Sequence, residues 1–224
     1  MKSVSVVIPA YNEEKTIGQV IDIVNNSNVD CEVIVINNCC TDDTTKIATE
    51  KGAKVVYCEQ KGKGYAMEAG LKAAQNEIVV YLDADITDYN KNLINLLVDP
   101  IIERDVDLVK STFERTKGGM VTEIATKPLL NMLFPEMYNF SEPLSGMIAG
   151  KKSVLEKLTF EKDYGVDVGI IIDITKMKYK IEEVNIGKIE NMSHLLKTTE
   201  SMRNMSTEII RAILKRVDGI NLNK

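Results

Sequence analysis

The sequence predicts an α/β fold: a mostly parallel central sheet flanked by helices, in a single domain. Three observations carry this reading. Short runs of Val and Ile recur through the first half of the chain, continuous rather than alternating, as in strands buried on both faces. Segments with apolar residues at helical spacing lie between them, the order of a parallel sheet with crossover helices. The 224 residues, 44% hydrophobic and 27% charged, make one generous core that needs no disulfide or structural metal.

Taken in order, Ser3 to Pro9 reads as a buried strand. Glu13 to Asn25 follows as an amphipathic helix carrying Ile17, Val20, Ile21 and Val24. Glu32 to Asn37 is a second strand, and a helix runs from about Thr41 to Lys51 after a polar turn. Lys54 to Tyr57 is a third strand, Tyr65 to Ala74 a helix, and Glu77 to Leu82 (EIVVYL) a fourth strand. Beyond it, Asn92 to Glu103 reads as helix and Val106 to Ser111 as strand. Gly118-Gly119 mark a loop, and Glu123 to Leu133 reads as helix despite Pro128. Pro135 to Pro143 is irregular, Gly169 to Thr175 is an apolar run, and Lys180 to Ile186 alternates as a strand. After Ser201 an amphipathic helix places Met202, Met205, Ile209, Ile213 and Val217 on one side. No repeat, low-complexity tract or linker divides the chain.

Composition removes several function classes. The 28 basic and 33 acidic residues give a net charge of -5, which argues against nucleic acid held on a basic face. With one His and no Trp, a three-His zinc site and a Q-x-x-R-W polysaccharide synthase are excluded. The cysteines at 31, 39, 40 and 58 match no zinc or redox spacing and are expected to be reduced thiols. The opening residues carry no secretory pattern, so a cytoplasmic location is expected. No stretch is long and apolar enough to span a bilayer.

Three familiar motifs fail. Gly62-Lys63-Gly64 begins G-x-G-x-x-G, but Met67 holds the third glycine position. Gly146 to Ser153 imitates a phosphate-binding loop one residue short. There is no G-x-S-x-G nucleophile elbow. The glycine-rich G-x-G-T-R opening of a nucleotidyltransferase is absent too.

Three other segments could carry chemistry. Asp83-Ala84-Asp85 follows EIVVYL directly. Carboxylates two apart on a continuing strand share a face and reach one cation, and ligands of open α/β sheets sit outside the strands' carboxyl ends. A solvated turn is the plain alternative. Pro9-Ala10-Tyr11-Asn12-Glu13 also ends a strand and opens a helix. There the helix start suits an anion, with Asn12 or Glu13 on a ribose or base, or else Asn12 is simply an N-cap. Lys61-Gly62-Lys63-Gly64 either holds a pyrophosphate or is a wet turn.

These segments occur in the order and spacing of one family. With Val35 to Thr44 between them, the chain resembles the nucleotide-sugar glycosyltransferases of the GT-A fold. Gly119-Met120-Val121-Thr122-Glu123, Lys127-Pro128-Leu129-Leu130, Pro143-Leu144-Ser145-Gly146 and Tyr164 to Asp173 extend the resemblance to the glucosyl-3-phosphoglycerate synthases over nearly the whole length.

The resemblance implies a single domain over 1–224, with a nucleotide-sugar half at about 1–115 and an acceptor half with the C-terminal helix at about 116–224. Pro9, Ala10, Tyr11, Asn12 and Glu13 would line the nucleotide, with Asn37, Lys63, Asp83 and Ala84. Asp85 and His194 would hold Mg²⁺ or Mn²⁺, and His194 is the only imidazole present. Gly119, Met120, Val121 and Thr122 would form the acceptor loop, and Asp167 would sit by the transferred sugar. The activity implied is metal-dependent, configuration-retaining transfer of a hexose, glucose by this likeness, from a UDP- or GDP-sugar to a small anion such as 3-phosphoglycerate. No general base is then demanded, and Asp167 has a positioning role.

The chain departs from the synthase pattern at Met120, where Arg is usual, at Leu195-Leu196, where Arg-Asn is usual, and at Asn37, where Asp meets a uracil N–H. Met cannot replace a guanidinium grip, so the acceptor need not be phosphoglycerate itself. An inverting polyprenyl-phosphate sugar transferase is the alternative, and a non-catalytic nucleotide-sugar binder a second. Metal-dependent turnover separates the last from the enzymes. The apolar stripe of the C-terminal helix needs cover, and a homodimer is expected before a membrane surface.

Overall fold

The protein is described from a computed structural model covering residues 3–115, 119–137, 140–189 and 198–219. Strands β1 (Val4–Ala10), β2 (Cys31–Asn37), β3 (Lys54–Tyr57) and β4 (Ile78–Tyr81) pair in parallel. Helices α1 (Ile17–Asn25), α2 (Thr44–Glu50) and α3 (Lys63–Ala73) make the crossovers. α4 (Leu93–Arg104) leads into β5 (Leu108–Arg115). A π-helical turn, Thr122–Thr126, runs into α5 (Lys127–Leu133), and β6 (Ile148–Lys151) and α6 (Lys152–Leu155) follow. α7 (Val166–Lys176), β7 (Ile181–Ile189) and α8 (Thr199–Leu214) complete the described chain.

All seven strands form one sheet in the order β3-β2-β1-β4-β6-β5-β7. β6 runs antiparallel to both β4 and β5, and β7 parallel to β5. The mostly parallel α/β fold expected from the sequence is the fold observed.

Alternation along β1 divides the core. Val6 and Ile8 face one cluster with α1 and α4, whereas Val7 faces a second with α3, α7 and α8. Each fully buried Ile or Val contributes about 1.5–3 kcal/mol of transfer free energy, so both faces of β1 stabilise the sheet on which the site stands.

Four sequence expectations change. The run Gly169–Thr175 belongs to α7, whose Val166, Val168, Ile170, Ile171, Ile172 and Ile174 are all buried; a helix apolar all round shows no periodicity. The helix expected over Glu123–Leu133 is two pieces, with Pro128 in the first turn of α5, where a missing N–H has no consequence. β6, four residues long, was not anticipated. The stripe on α8 is largely covered within the chain, since Ile209 and Ile213 are buried, Met205 and Val217 are half-buried against the same cluster and Met202 lines the cavity, and it does not by itself require a second copy.

Candidate active site

At the carboxyl ends of β1 and β4 lies a cavity of about 740 Å³. Ala10 closes β1, and the chain turns through Tyr11 and Glu13 before α1 begins at Ile17. β4 ends at Tyr81, so Asp83 and Asp85 stand in the turn after it rather than on a continuing strand, yet both line the cavity. Gly119, Met120, Val121 and Thr122 also line it, and Pro9, Lys63, Ala84 and Asp167 complete the contribution of the expected residues.

The centre of the site is an ion triad. Lys63 Nζ lies 3.0 Å from Asp83 Oδ1 and 2.9 Å from Asp167 Oδ2. Burial alone would lower the Lys63 pKa, but the charges of Asp167 and Asp83 outweigh it and raise it. Asp167, only 5% exposed, keeps its other oxygen Oδ1 buried without a hydrogen-bond partner. Asp167 lines the cavity, and an unsatisfied buried acceptor of this kind is one that a ligand hydroxyl can satisfy.

The glycines around Lys63 permit close backbone approach. A Cβ on Gly64 would overlap the Glu161 carbonyl oxygen, and one on Gly62, at φ 144, the Lys162 carbonyl oxygen. Gly64 N–H donates to Lys162 O at 3.1 Å, and Lys63 N–H to Asp163 Oδ1 at 3.3 Å. The Lys61–Gly64 segment is therefore locked against the loop before α7, not a free wet turn.

Glu13 stands among acids. Burial first, then the charge of Asp85, push its carboxyl up to about 7; Asp42 and Asp83 add to this and a hydrogen bond from Thr16 opposes it. Oxygen donors crowded in this way are the hard ligand set that Mg²⁺ or Mn²⁺ prefers. Among the described residues no group of three or more His, Cys, Asp or Glu is arranged as a complete metal site. His194 and Leu195-Leu196 lie outside the described residues.

Two expected residues stand beside the cavity. Asn12, at φ 58, accepts from Thr41 N–H at 2.8 Å through its side chain and caps no helix, since α1 starts behind Thr16. Asn37 donates to Thr45 Oγ1 at 2.6 Å and accepts from Cys40 N–H at 2.8 Å. Both hold the loop after β2. Sequence reasoning did not assign Asn38, Asp163, Tyr164 or the α8 residues Met202, Met205 and Ile209, all of which line the cavity. Asn38 anchors the Gly62 N–H at 2.8 Å. Lys61 Nζ lies 4.0 Å from the centre of the Tyr11 ring, a cation–π contact on the cavity edge.

Known proteins share this architecture. The structure of glucosyl-3-phosphoglycerate synthase from Mycobacterium tuberculosis in complex with Mg²⁺ and UDP matches with a TM-score of 0.90 at 34% identity, over 99% of this chain and 81% of that one. The same enzyme in complex with Mn²⁺, UDP-glucose and phosphoglyceric acid also gives 0.90 at 34% identity, with the same coverages. Fold and cleft define a glycosyltransferase of the GT-A class. The profile of Glycosyl transferase family 2 matches residues 5–159, and the chain belongs to that family. Glucosyl-3-phosphoglycerate synthase of Petrotoga mobilis is 32% identical over 239 residues, covering 96% of this chain and 73% of the relative. A dolichyl-phosphate hexose transferase of Haloferax volcanii is 29% identical over 194 residues, 81% of each chain.

Proposed function

We propose that this protein transfers glucose from UDP-glucose to a small anionic acceptor of the phosphoglycerate type, with Mg²⁺ or Mn²⁺ bound and anomeric configuration retained. The observation that carries the reading is the Lys63–Asp83–Asp167 triad in the cavity wall, together with the likeness to structures that hold UDP-glucose, Mn²⁺ and phosphoglyceric acid.

In this reading Pro9, Ala10, Tyr11 and Glu13 face the nucleotide, while Asn12 and Asn37 shape the loop around the base. Asp85, with His194, would hold the metal, which when bound neutralises charge on the departing diphosphate. Lys63 adds a fixed cation aimed at the same developing charge and costs no reorganisation, because Asp83 and Asp167 already orient it. Asp167 Oδ1 accepts a sugar hydroxyl and positions the hexose. Its sibling oxygen is engaged by Lys63, which supports a positioning role over that of a base. Gly119, Met120, Val121 and Thr122 receive the acceptor through backbone donors and the Thr122 hydroxyl. The four unpaired cysteines suit a reducing, cytoplasmic compartment, and exposed Ile124 and Met132 offer a face for the expected homodimer.

A second reading has its own support. Met120, Val121, Leu144, Met202, Met205 and Ile209 give one cavity wall an apolar character, which would suit a lipid phosphate acceptor handled by inverting transfer. Among the described residues no helix is long and apolar enough to cross a membrane.

Thermal shift with Mn²⁺ and UDP-glucose or GDP-glucose tests the donor half. The shift is expected with UDP-glucose and should vanish in Asp85→Ala. Transfer of labelled glucose to phosphoglycerate, glycerate and polyprenyl phosphate tests the acceptor, and transfer to the lipid alone would overturn the first reading.

A further inference from the structure

A second lysine lies beneath the triad. Lys110, in the middle of β5, has no solvent exposure, and its Nζ donates to the main-chain carbonyl of Ser145. Taking an ammonium out of water is costly unless its position is useful, and here the partner is a neutral carbonyl rather than a carboxylate. The surroundings indicate the use.

Ser145 is gripped from several sides. Its hydroxyl lies 2.6 Å from that of Ser111, the residue after Lys110, and accepts from Met147 N–H at 3.3 Å; Ser111 N–H donates to Met147 O at 3.1 Å. Gly146 comes next. A Cβ there would overlap both Asp83 Oδ1 and Lys63 Nζ, so the turn before β6 is packed backbone-first against the two ions. Leu144, on its other side, lines the cavity. A continuous chain of contacts thus runs from Lys110 through the Ser145 carbonyl and Gly146 to Lys63 and Asp83.

We propose that Lys110, with Ser111, is a positioning element of the site: a buried post that fixes the Ser145–Gly146 turn and through it the Lys63–Asp83 contact. Burial, together with repulsion from Lys63, pushes the Lys110 ammonium down to about 8 against the opposing pull of Asp167, Asp83 and Glu183. Lys110 reaches neither donor nor acceptor and acts only through the turn. The kinetic part of this inference rests on the glucosyl-transfer reading above, whereas its structural part does not.

The test is Lys110→Met, which keeps length and apolar stem and removes the ammonium. A crystal structure of the variant is expected to show the Ser145–Gly146 turn displaced and Lys63 separated from Asp83. With UDP-glucose and Mn²⁺, kcat is expected to fall roughly ten- to hundredfold, since small misplacements of fixed groups are felt at that scale, with the donor KM changed less than threefold. A merely structural lysine would lower the melting temperature and leave kcat of the folded fraction intact. An undisturbed turn in the crystal, or kcat within twofold of the parent, overturns the proposal. If Lys110→Met yields no folded protein, Ser111→Ala removes only the hydroxyl pairing from the same post. A shifted turn is again expected, and an unmoved turn with full kcat overturns it. Absence of any donor binding or turnover in the unmodified protein would strike the transfer reading alone, because the crystallographic result stands independently.

Discussion

Lys63 and Asp167 meet at 2.9 Å although 104 residues separate them in the chain. Lys63 opens α3 and Asp167 sits in the first turn of α7, so the contact ties the two halves of the molecule at the cavity wall. Asp167 is nearly closed to solvent and Lys63 is partly so. An uncompensated charge left at such a point is expensive.

Lys63→Met should therefore weaken both fold and site. Removing the cation strands the Asp167 carboxylate, and urea unfolding is expected to register a loss of about 2–3 kcal/mol, reduced from the fully buried case by the partial exposure of Asp83. Calorimetry should find UDP-glucose binding abolished. Retained affinity would remove Lys63 from the donor site.

Gly64→Ala separates packing from propensity. Alanine favours a helix by about 1 kcal/mol over glycine, yet here its methyl would overlap the Glu161 carbonyl oxygen. A net destabilisation of about 2–3 kcal/mol is expected from the forced backbone shift, measured by thermal and urea denaturation. A stabilised variant would mean that the Gly64–Glu161 approach is not fixed.

The Glu13 carboxyl, raised to about 7, links stability to pH in a defined direction. Folded protein keeps this proton at pH values where the unfolded chain has lost it, so Glu13 makes stability fall as pH rises from about 4.5 to about 7. Glu13→Gln should raise the melting temperature of metal-free protein at pH 8 and leave it unchanged at pH 4. Since Glu13 is only half-buried, the gain is at most about 1 kcal/mol. An equal shift at both pH values would exclude titration as the cause.

Arg216 is expected to be the most sensitive charge outside the cavity. Its guanidinium grips Asp173 with two bonds of 2.8 and 2.9 Å and Glu161 with one of 2.7 Å, and also donates to Ala212 O and Thr159 O. Arg216→Ala should cost about 2–3 kcal/mol by leaving the half-buried Asp173 and Glu161 without their cation. Arg216→Lys should recover little, because an ammonium cannot reproduce the fork. Chemical denaturation of both variants checks this.

The strand-end side of the cavity was legible: EIVVYL followed by Asp-Ala-Asp, and an apolar strand running into Pro-Ala-Tyr-Asn-Glu, place lining residues at the carboxyl ends of an α/β sheet. The second half was harder to read. α7 hid its helical period by being buried on every side, and β6 was too short to stand out. Asn38 and Asp163 gave no local signal, since each acts through a partner distant in sequence, Gly62 and Lys63 respectively. Lys110 looked like an ordinary strand residue until the Ser145 turn was placed over it.

The seam between β4 and β6 has a consequence for how the chain comes into being. β4 is a buried apolar strand whose second neighbour is encoded far downstream, beyond α4, β5 and α5. As synthesis proceeds from the N-terminus, the first four strands can assemble while one side of Ile78–Tyr81 still offers its bare backbone to any passing strand. Only when Ile148–Lys151 emerges does that edge close, and it closes antiparallel; β5, whose partners β6 and β7 both lie downstream of it, joins the sheet only through β6. A chain that ends short of Ile148 thus presents its apolar fourth strand at an open sheet edge.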